Sequence, residues 1–259
     1  MGPHKGEFRL ENRQGQCIAV VSGKGGTGKT SFTAGVGSAL AASGKRVLCL
    51  DCDVGLRNLD LALGLTDRAL MDFSDVAQGR CPLPDALAKH PSLPLYLLTA
   101  PARKCGRPVT DDEMAALLRD VRREFDFCLL DAPAGLEYGF HLATCAADRC
   151  VVVTTSDAPS LRDAQHTVME LSRFPRGSLH LVVNRVRTKL LRHMHATIDD
   201  AIDSAGLPLL GVIPEDDQLP LALNRGVPPA LSRSGLACTA YQNIADRILG
   251  KRVPLMRIK

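Results

Sequence analysis

The chain has 259 residues, 45% of them hydrophobic and 23% charged, with a net charge of +4. It is long enough to bury a substantial core. No apolar run approaches the ~20 residues needed to cross a bilayer, and so small a net charge gives no reason to expect a nucleic-acid partner. Residues 1–16 are polar with scattered charge and lack an apolar signal core, so they are expected to form a flexible lead-in to a cytoplasmic protein.

Short β-type runs then alternate with helical patterns. Strands are predicted at 17–22, 46–51, 94–99, 126–131, 150–155, 179–184 and 208–213. Helices are predicted over 32–42, over 112–123, where Met114, Leu117, Leu118 and Val121 recur at helical spacing, and over 160–173. Tyr241, Ile244, Ala245, Ile248 and Leu249 fit the inner face of a last core helix. Strands that are apolar throughout, such as Val151-Val152-Val153, belong in a sheet covered on both faces. The pattern is therefore α/β, a doubly wound and mostly parallel sheet flanked by helices, with one domain over 17–250 and a short basic tail over 251–259.

The first strand–helix junction carries the clearest chemistry. Gly23-Lys24-Gly25-Gly26-Thr27-Gly28-Lys29-Thr30-Ser31 follows an apolar strand and opens a helix, the context a phosphate-binding loop requires. Its glycines let backbone N–H groups turn inward around a phosphate chain, and the helix N-terminus adds partial positive charge. Lys29 is placed to reach the outer phosphates and the Thr30 hydroxyl to ligate Mg²⁺.

Two further strand ends carry carboxylates that suit such a site. Asp131 follows Phe127-Cys128-Leu129-Leu130 in the Walker B manner, and Asp51 and Asp53 follow the second strand. Because Asp51 and Asp53 alternate, one can face a metal while the other faces an attacking water.

The loop with its extra lysine, DCDVGLRNLDLALG at 51–64 and DAPAGLE at 131–137 resemble the ParA/MinD family of deviant Walker ATPases, which have the P-loop NTPase fold. The likeness continues through VVNRVR at 182–187, GVIPEDDQLPLALNRG at 211–226 and YQNIADRILGKRVPLM at 241–256. The resemblance implies ATP and Mg²⁺ as cofactors and a weak ATPase acting as an ATP-dependent dimerisation switch in division-site placement. It implies that Lys24 reaches the nucleotide of a second subunit in a homodimer, that Asp53 orients the hydrolytic water, and that Asp51 and Asp131 support the metal with Thr30. It further implies that Asn184 and Pro214 contact adenine. Gly55, Arg57 and Asn58 would then lie in a first switch, and Pro133, Ala134 and Gly135 in a second. MinC-like and MinE-like protein partners follow from the same likeness.

Other features pull elsewhere. Cys145, after the second switch segment, is the footing for an alternative iron–sulfur carrier like Mrp or nitrogenase reductase, and a ParA-like DNA- or cargo-partitioning ATPase is a third reading. The basic group Arg185, Arg187, Lys189, Arg192, His193 and His195 is read as a solvated face or regulator docking site in preference to a DNA surface. Cys49 and Cys52 form a C-x-x-C pair, but on a strand their side chains point to opposite faces, so buried free thiols are favoured over a metal or redox role. Family members usually continue into a basic amphipathic helix that binds anionic lipid. The nine residues Lys251 to Lys259, interrupted by Pro254, are too few for one, so an ordinary solvated tail ranks above peripheral contact with the inner face of the cell membrane.

Overall fold

The computed structural model describes residues 14–54, 56–102, 106–175, 177–187, 198–232 and 235–256. Its elements run in the order β1 (Gln16–Val21), α1 (Lys29–Ala42), β2 (Val47–Asp51), α2 (Leu59–Ala62), α3 (Phe73–Ala77), α4 (Leu83–Ala86), β3 (Ala88–Lys89) and β4 (Leu95–Leu98). They continue with α5 (Asp111–Glu124), β5 (Phe127–Asp131), α6 (Tyr138–Thr144), β6 (Arg149–Thr154), α7 (Ala158–Glu170), β7 (Leu179–Val186) and α8 (Ile198–Ala205). The last are β8 (Leu209–Pro214), α9 (Gln218–Asn224), α10 (Pro229–Ser232) and α11 (Leu236–Ile248).

Eight strands form one sheet in the order β3-β4-β2-β5-β1-β6-β7-β8. Every pairing is parallel except that of β3 with β4. All seven predicted strands are present within two residues of their expected ends, and β3 is an addition of two residues that sequence periodicity does not reach.

Period-two alternation explains the two cores. Cys17, Ala19 and Val21 of β1 face one layer with Met114, Leu117, Leu118 and Val121 of α5. Ile18 and Val20 face the other with Phe32, Val36 and Leu40 of α1 and Tyr241, Ile244 and Ile248 of α11. Sheet residues are therefore covered on both sides, which is why the strands read as unbroken apolar runs. Cys49 and Cys52 lie in opposite layers, as their strand spacing requires.

Helix α5 starts where Thr110 accepts from the Glu113 N–H while the Glu113 carboxylate accepts from the Thr110 N–H. Its acidic first turn and basic last turn, Asp111-Asp112-Glu113 and Arg122-Arg123, complement the helix dipole. Helices α1 and α11 pack closely enough that a side chain at Gly35 has no room: a Cβ there would meet the Tyr241 ring at 2.5 Å. Residues 251–256 are not helical. Among the described residues, no helix is long and apolar enough to cross a membrane.

Candidate functional site

The carboxyl ends of β1, β2 and β5 lie side by side, and the loop 23–28 leaves β1 there to open α1. In open α/β sheets this edge is where ligands bind. Gly26 and Gly28 have φ of 80° and 92°, a backbone that side-chain-bearing residues rarely adopt, and a Cβ on Gly26 would meet nothing within 4 Å. Ala134, in the segment after β5, lies 3.7 Å from where a Gly25 Cβ would sit. The cradle is thus open on one side and touched by the 133–135 segment on another.

Polar side chains below the loop form two hydrogen-bonded groups, one around Ser22 and one around Asp131. The buried Lys29 ammonium donates to Ser22 Oγ at 2.8 Å, and Ser22 Oγ donates to the Lys24 carbonyl at 2.7 Å. Thr30 Oγ1 donates to Asp131 Oδ2 at 2.7 Å and Thr33 Oγ1 to Asp131 Oδ1 at 3.3 Å. Asp51 is the direct register partner of Asp131 on the adjacent strand. Its Oδ1 accepts from the Asp53 N–H at 2.8 Å, which turns the chain as it leaves β2.

Burial sets the charges here. It raises Asp51 to about 7, aided by the Asp131 charge, and raises Asp131 to about 6 against the opposing effects of the Thr30 hydroxyl and Lys29. Burial also raises Asp53, with Lys29 pulling the other way. The same desolvation lowers Lys29, partly offset by Asp131 and Asp53. Asp131 and Asp53 thus act on the Lys29 ammonium while Asp51 lies beside Asp131, so carboxylates outnumber the ammonium and a divalent cation would offset their repulsion. The Thr27 hydroxyl, buried and without a hydrogen-bond partner, adds an unused polar group in the loop itself. These features fit a magnesium–phosphate group, with Thr30, Asp51 and Asp131 as the residues that would hold the metal.

Asn184 reaches the same loop from β7. Register shifts against β8 between Leu181 and Val182 and across Asn184 between Val183 and Val186, together with the positive φ of 53° at Arg185, mark an irregular strand end. That irregularity aims the buried Asn184 amide at the Thr27 carbonyl, 2.7 Å away, while its Oδ1 accepts from the Arg185 N–H at 2.9 Å. A cavity of about 390 Å³ opens beside it, lined by Ser31, Asn184, Pro214, Asp216 and Leu223 among others. The predicted residues Ser31, Asn184 and Pro214 are thus gathered at one hollow next to the loop.

The remaining predicted residues are disposed differently. Lys24 points out of the loop and pairs with Asp157 at 3.7 Å, both side chains nearly half exposed. Arg57 turns away from the loop, donating to Thr99 Oγ1 at 2.9 Å, and Asn58 precedes the first turn of α2. Pro133 packs under Gly139, and Gly135 has φ of 86°. Gly55 lies outside the described residues, as do Lys189, Arg192, His193 and His195. Arg187 forms an ion pair with Glu215. Cys145 donates to the Leu142 carbonyl at 3.3 Å.

Sequence reasoning missed Ser22, Thr33 and Asp157. Thr33 was legible as the residue one helical turn past Lys29. Asp157 is the N-cap of α7, and Asp-Ala-Pro-Ser is a recognisable helix start. Its carboxyl would be raised by burial, but hydrogen bonds from Thr155 and Ser160, with the Lys24 charge, bring it down to about 2.

The family described as the CobQ/CobB/MinD/ParA nucleotide binding domain matches residues 18–229. The chain belongs to this family. Over 245 residues it is 39% identical to the septum site-determining protein MinD of Bacillus subtilis, covering 93% of this chain and 91% of that relative. Its fold is similar to that of MinD in a MinC:MinD cell division protein complex from Aquifex aeolicus, with a TM-score of 0.86 and 34% identity over 93% of this chain and 98% of that one. A septum site-determining MinD complexed with Mg-ADP from Pyrococcus horikoshii gives a TM-score of 0.77 at 28% identity, covering 90% and 95% of the two chains. The family likeness spans both the loop and the Asn184–Pro214 hollow, so the cluster described above lies within the nucleotide-binding domain.

Proposed function

We propose that the chain is an ATP hydrolase of the MinD type, working as an ATP-dependent dimerisation switch in division-site placement. Residues 17–250 act as one ATPase domain, with 1–16 a lead-in and 251–259 a basic tail. The observation that supports this best is the union of Lys29, Thr30, Asp51 and Asp131 beneath an open glycine loop while Lys24 leans outward to the surface.

Backbone N–H groups of 23–30 and Lys29 bind the phosphate chain and offset its charge. Magnesium, when bound, withdraws charge from the phosphate oxygens. Asp53, half-buried and turned by its backbone bond to Asp51, holds the attacking water and accepts its proton. Asn184 and the Pro214 segment take the adenine. The segments 55–58 and 133–135 close only around a triphosphate, so its hydrolysis releases the paired subunits. Partners are a second copy, a MinC-like inhibitor and a MinE-like stimulator, in the cytoplasm or at the inner face of the membrane.

Sizing chromatography with ATP and Mg²⁺ tests this. Asp53→Ala should slow phosphate release by about 100-fold or more, the worth of a positioned base, and let a dimer accumulate. Adding Lys24→Ala should return that protein to a monomer. A dimer undiminished by the second change would remove the trans contact from the scheme.

A further inference from the structure

At the opposite edge of the sheet from the phosphate loop lies a small cavity that the nucleotide chemistry does not use. It measures about 40 Å³ and is lined by Ile18, Arg149, Val151, His180, Leu210, Arg247 and Ile248. Its walls are the amino-terminal halves of β1, β6, β7 and β8 and the last turn of α11. Of its seven lining residues three are basic and none is acidic.

The charges there have no counter-ion among the described residues. Arg149, half-buried, makes no side-chain hydrogen bond or ion pair with any of them. Arg247 donates to three backbone carbonyls, Leu210 at 2.9 Å, Val253 at 3.1 Å and Pro254 at 2.8 Å. Carbonyls satisfy its donors but do not cancel its charge. Asp246, next to Arg247 in sequence, is engaged by Lys251 at 2.7 Å. Burial and the Arg149 charge both lower the His180 ring, so the imidazole is neutral near pH 7, while the two guanidinium charges persist. Ile18, Val151 and Ile248 supply an apolar floor, beside which an unpaired cation is costly and an anion is correspondingly favoured.

We infer that this cavity binds one small monovalent anion, of halide size or the head of a carboxylate, between Arg149 and Arg247. The volume exceeds that of a single water site but excludes a nucleotide or a sugar phosphate. Such an ion bridges the first residue of β6 to the guanidinium that holds residues 253 and 254. It therefore fastens the root of the C-terminal segment to the sheet, a function separate from ATP hydrolysis.

Bromide is the probe, because its anomalous scattering locates it in crystals and it does not mimic the phosphates of the glycine loop. Crystals soaked in sodium bromide should show a peak between Arg149 and Arg247. Thermal midpoints at constant ionic strength, with methanesulfonate as the bulkier counter-anion without a carboxylate head, should rise saturably with bromide. Arg149→Gln, a change at a half-exposed strand start, should raise half-saturating bromide about tenfold, the worth of one charge-assisted contact. A parallel titration with sodium formate distinguishes the source: saturation by formate at lower concentration assigns a carboxylate, and saturation by bromide alone a free halide. No peak in the cavity, or a midpoint rise identical in Arg149→Gln, overturns the inference.

Discussion

The glycine loop leaves β1 and the 53–58 segment leaves β2, two strands of one sheet with β5 between them, yet they are held in different ways. The loop is fixed at both ends, by β1 behind and α1 ahead, and from below by Lys29 on Ser22 and Asn184 on Thr27. In the second segment the Asp53 N–H donates to Asp51 Oδ1, Val54 packs against the core and Arg57 donates to Thr99, with Arg57 at φ of 37° and its Nε buried without a partner. A cradle that must present N–H groups identically to every ligand benefits from rigidity. On the proposed function the second segment responds to one phosphate, and a resting state that is easily left suits that role.

The sharpest way to break this contrast is to disturb the cradle. An Ala at 28 would place its Cβ 2.3 Å from Asn184 Nδ2 on a backbone at φ of 92°. Asn184 cannot swing aside without stranding the buried Thr27 carbonyl. Gly28→Ala should therefore cost about 3 kcal/mol, combining left-handed strain with a lost buried hydrogen bond. Nucleotide affinity should fall more than about tenfold with it. Chemical denaturation and fluorescent-nucleotide titration check both; a variant as stable as wild type would mean that the loop is far more pliant than its contacts indicate.

How legible each region was follows from what fixes it. The loop is local, so residue types and spacing alone announced Lys29, Thr30 and the glycines. Strand-end carboxylates were legible because apolar runs point to them. By contrast, Asn184 meets Thr27 across 157 residues of sequence, and only a resemblance, not a pattern, suggested that they share a site. The short helices α2, α3 and α4 escaped because four or five residues carry no readable period, and their placement is decided by tertiary packing. Lys24 with Asp157 and Arg57 with Thr99 were hidden for a related reason. Long flexible side chains choose partners that backbone pattern does not specify.

A second test separates the charge of the cradle floor from its shape. Asp51 and Asp131 both hold protons more tightly in the fold than an ordinary aspartate near 3.9 does. The nucleotide-free fold thus has their full contribution below about pH 4 and loses it as pH rises through 6 and 7. Wild-type protein without nucleotide or Mg²⁺ should melt lower at pH 7.5 than at pH 5.5 on their account. Asp51→Asn should flatten that slope and gain on the order of 1–3 kcal/mol at pH 7.5, a few degrees in midpoint. Equal slopes for the two proteins would show that the pair is solvated more than its burial implies.

The smallest effect is expected at the segment that is easiest to leave. Arg57→Gly removes a hydrogen bond worth about 1 kcal/mol. It also relieves a left-handed backbone that costs a non-glycine residue roughly 1–2 kcal/mol. These nearly cancel, so the denaturation midpoint should move by under about 1 kcal/mol in either direction. The contrast with Gly28→Ala is the point of the measurement, since both positions have positive φ. If Arg57→Gly destabilised the fold as much as Gly28→Ala does, the Arg57–Thr99 contact would be a structural anchor. The 53–58 segment would then be a second rigid wall of the cradle, and the moving part of the site would have to be sought in 133–135.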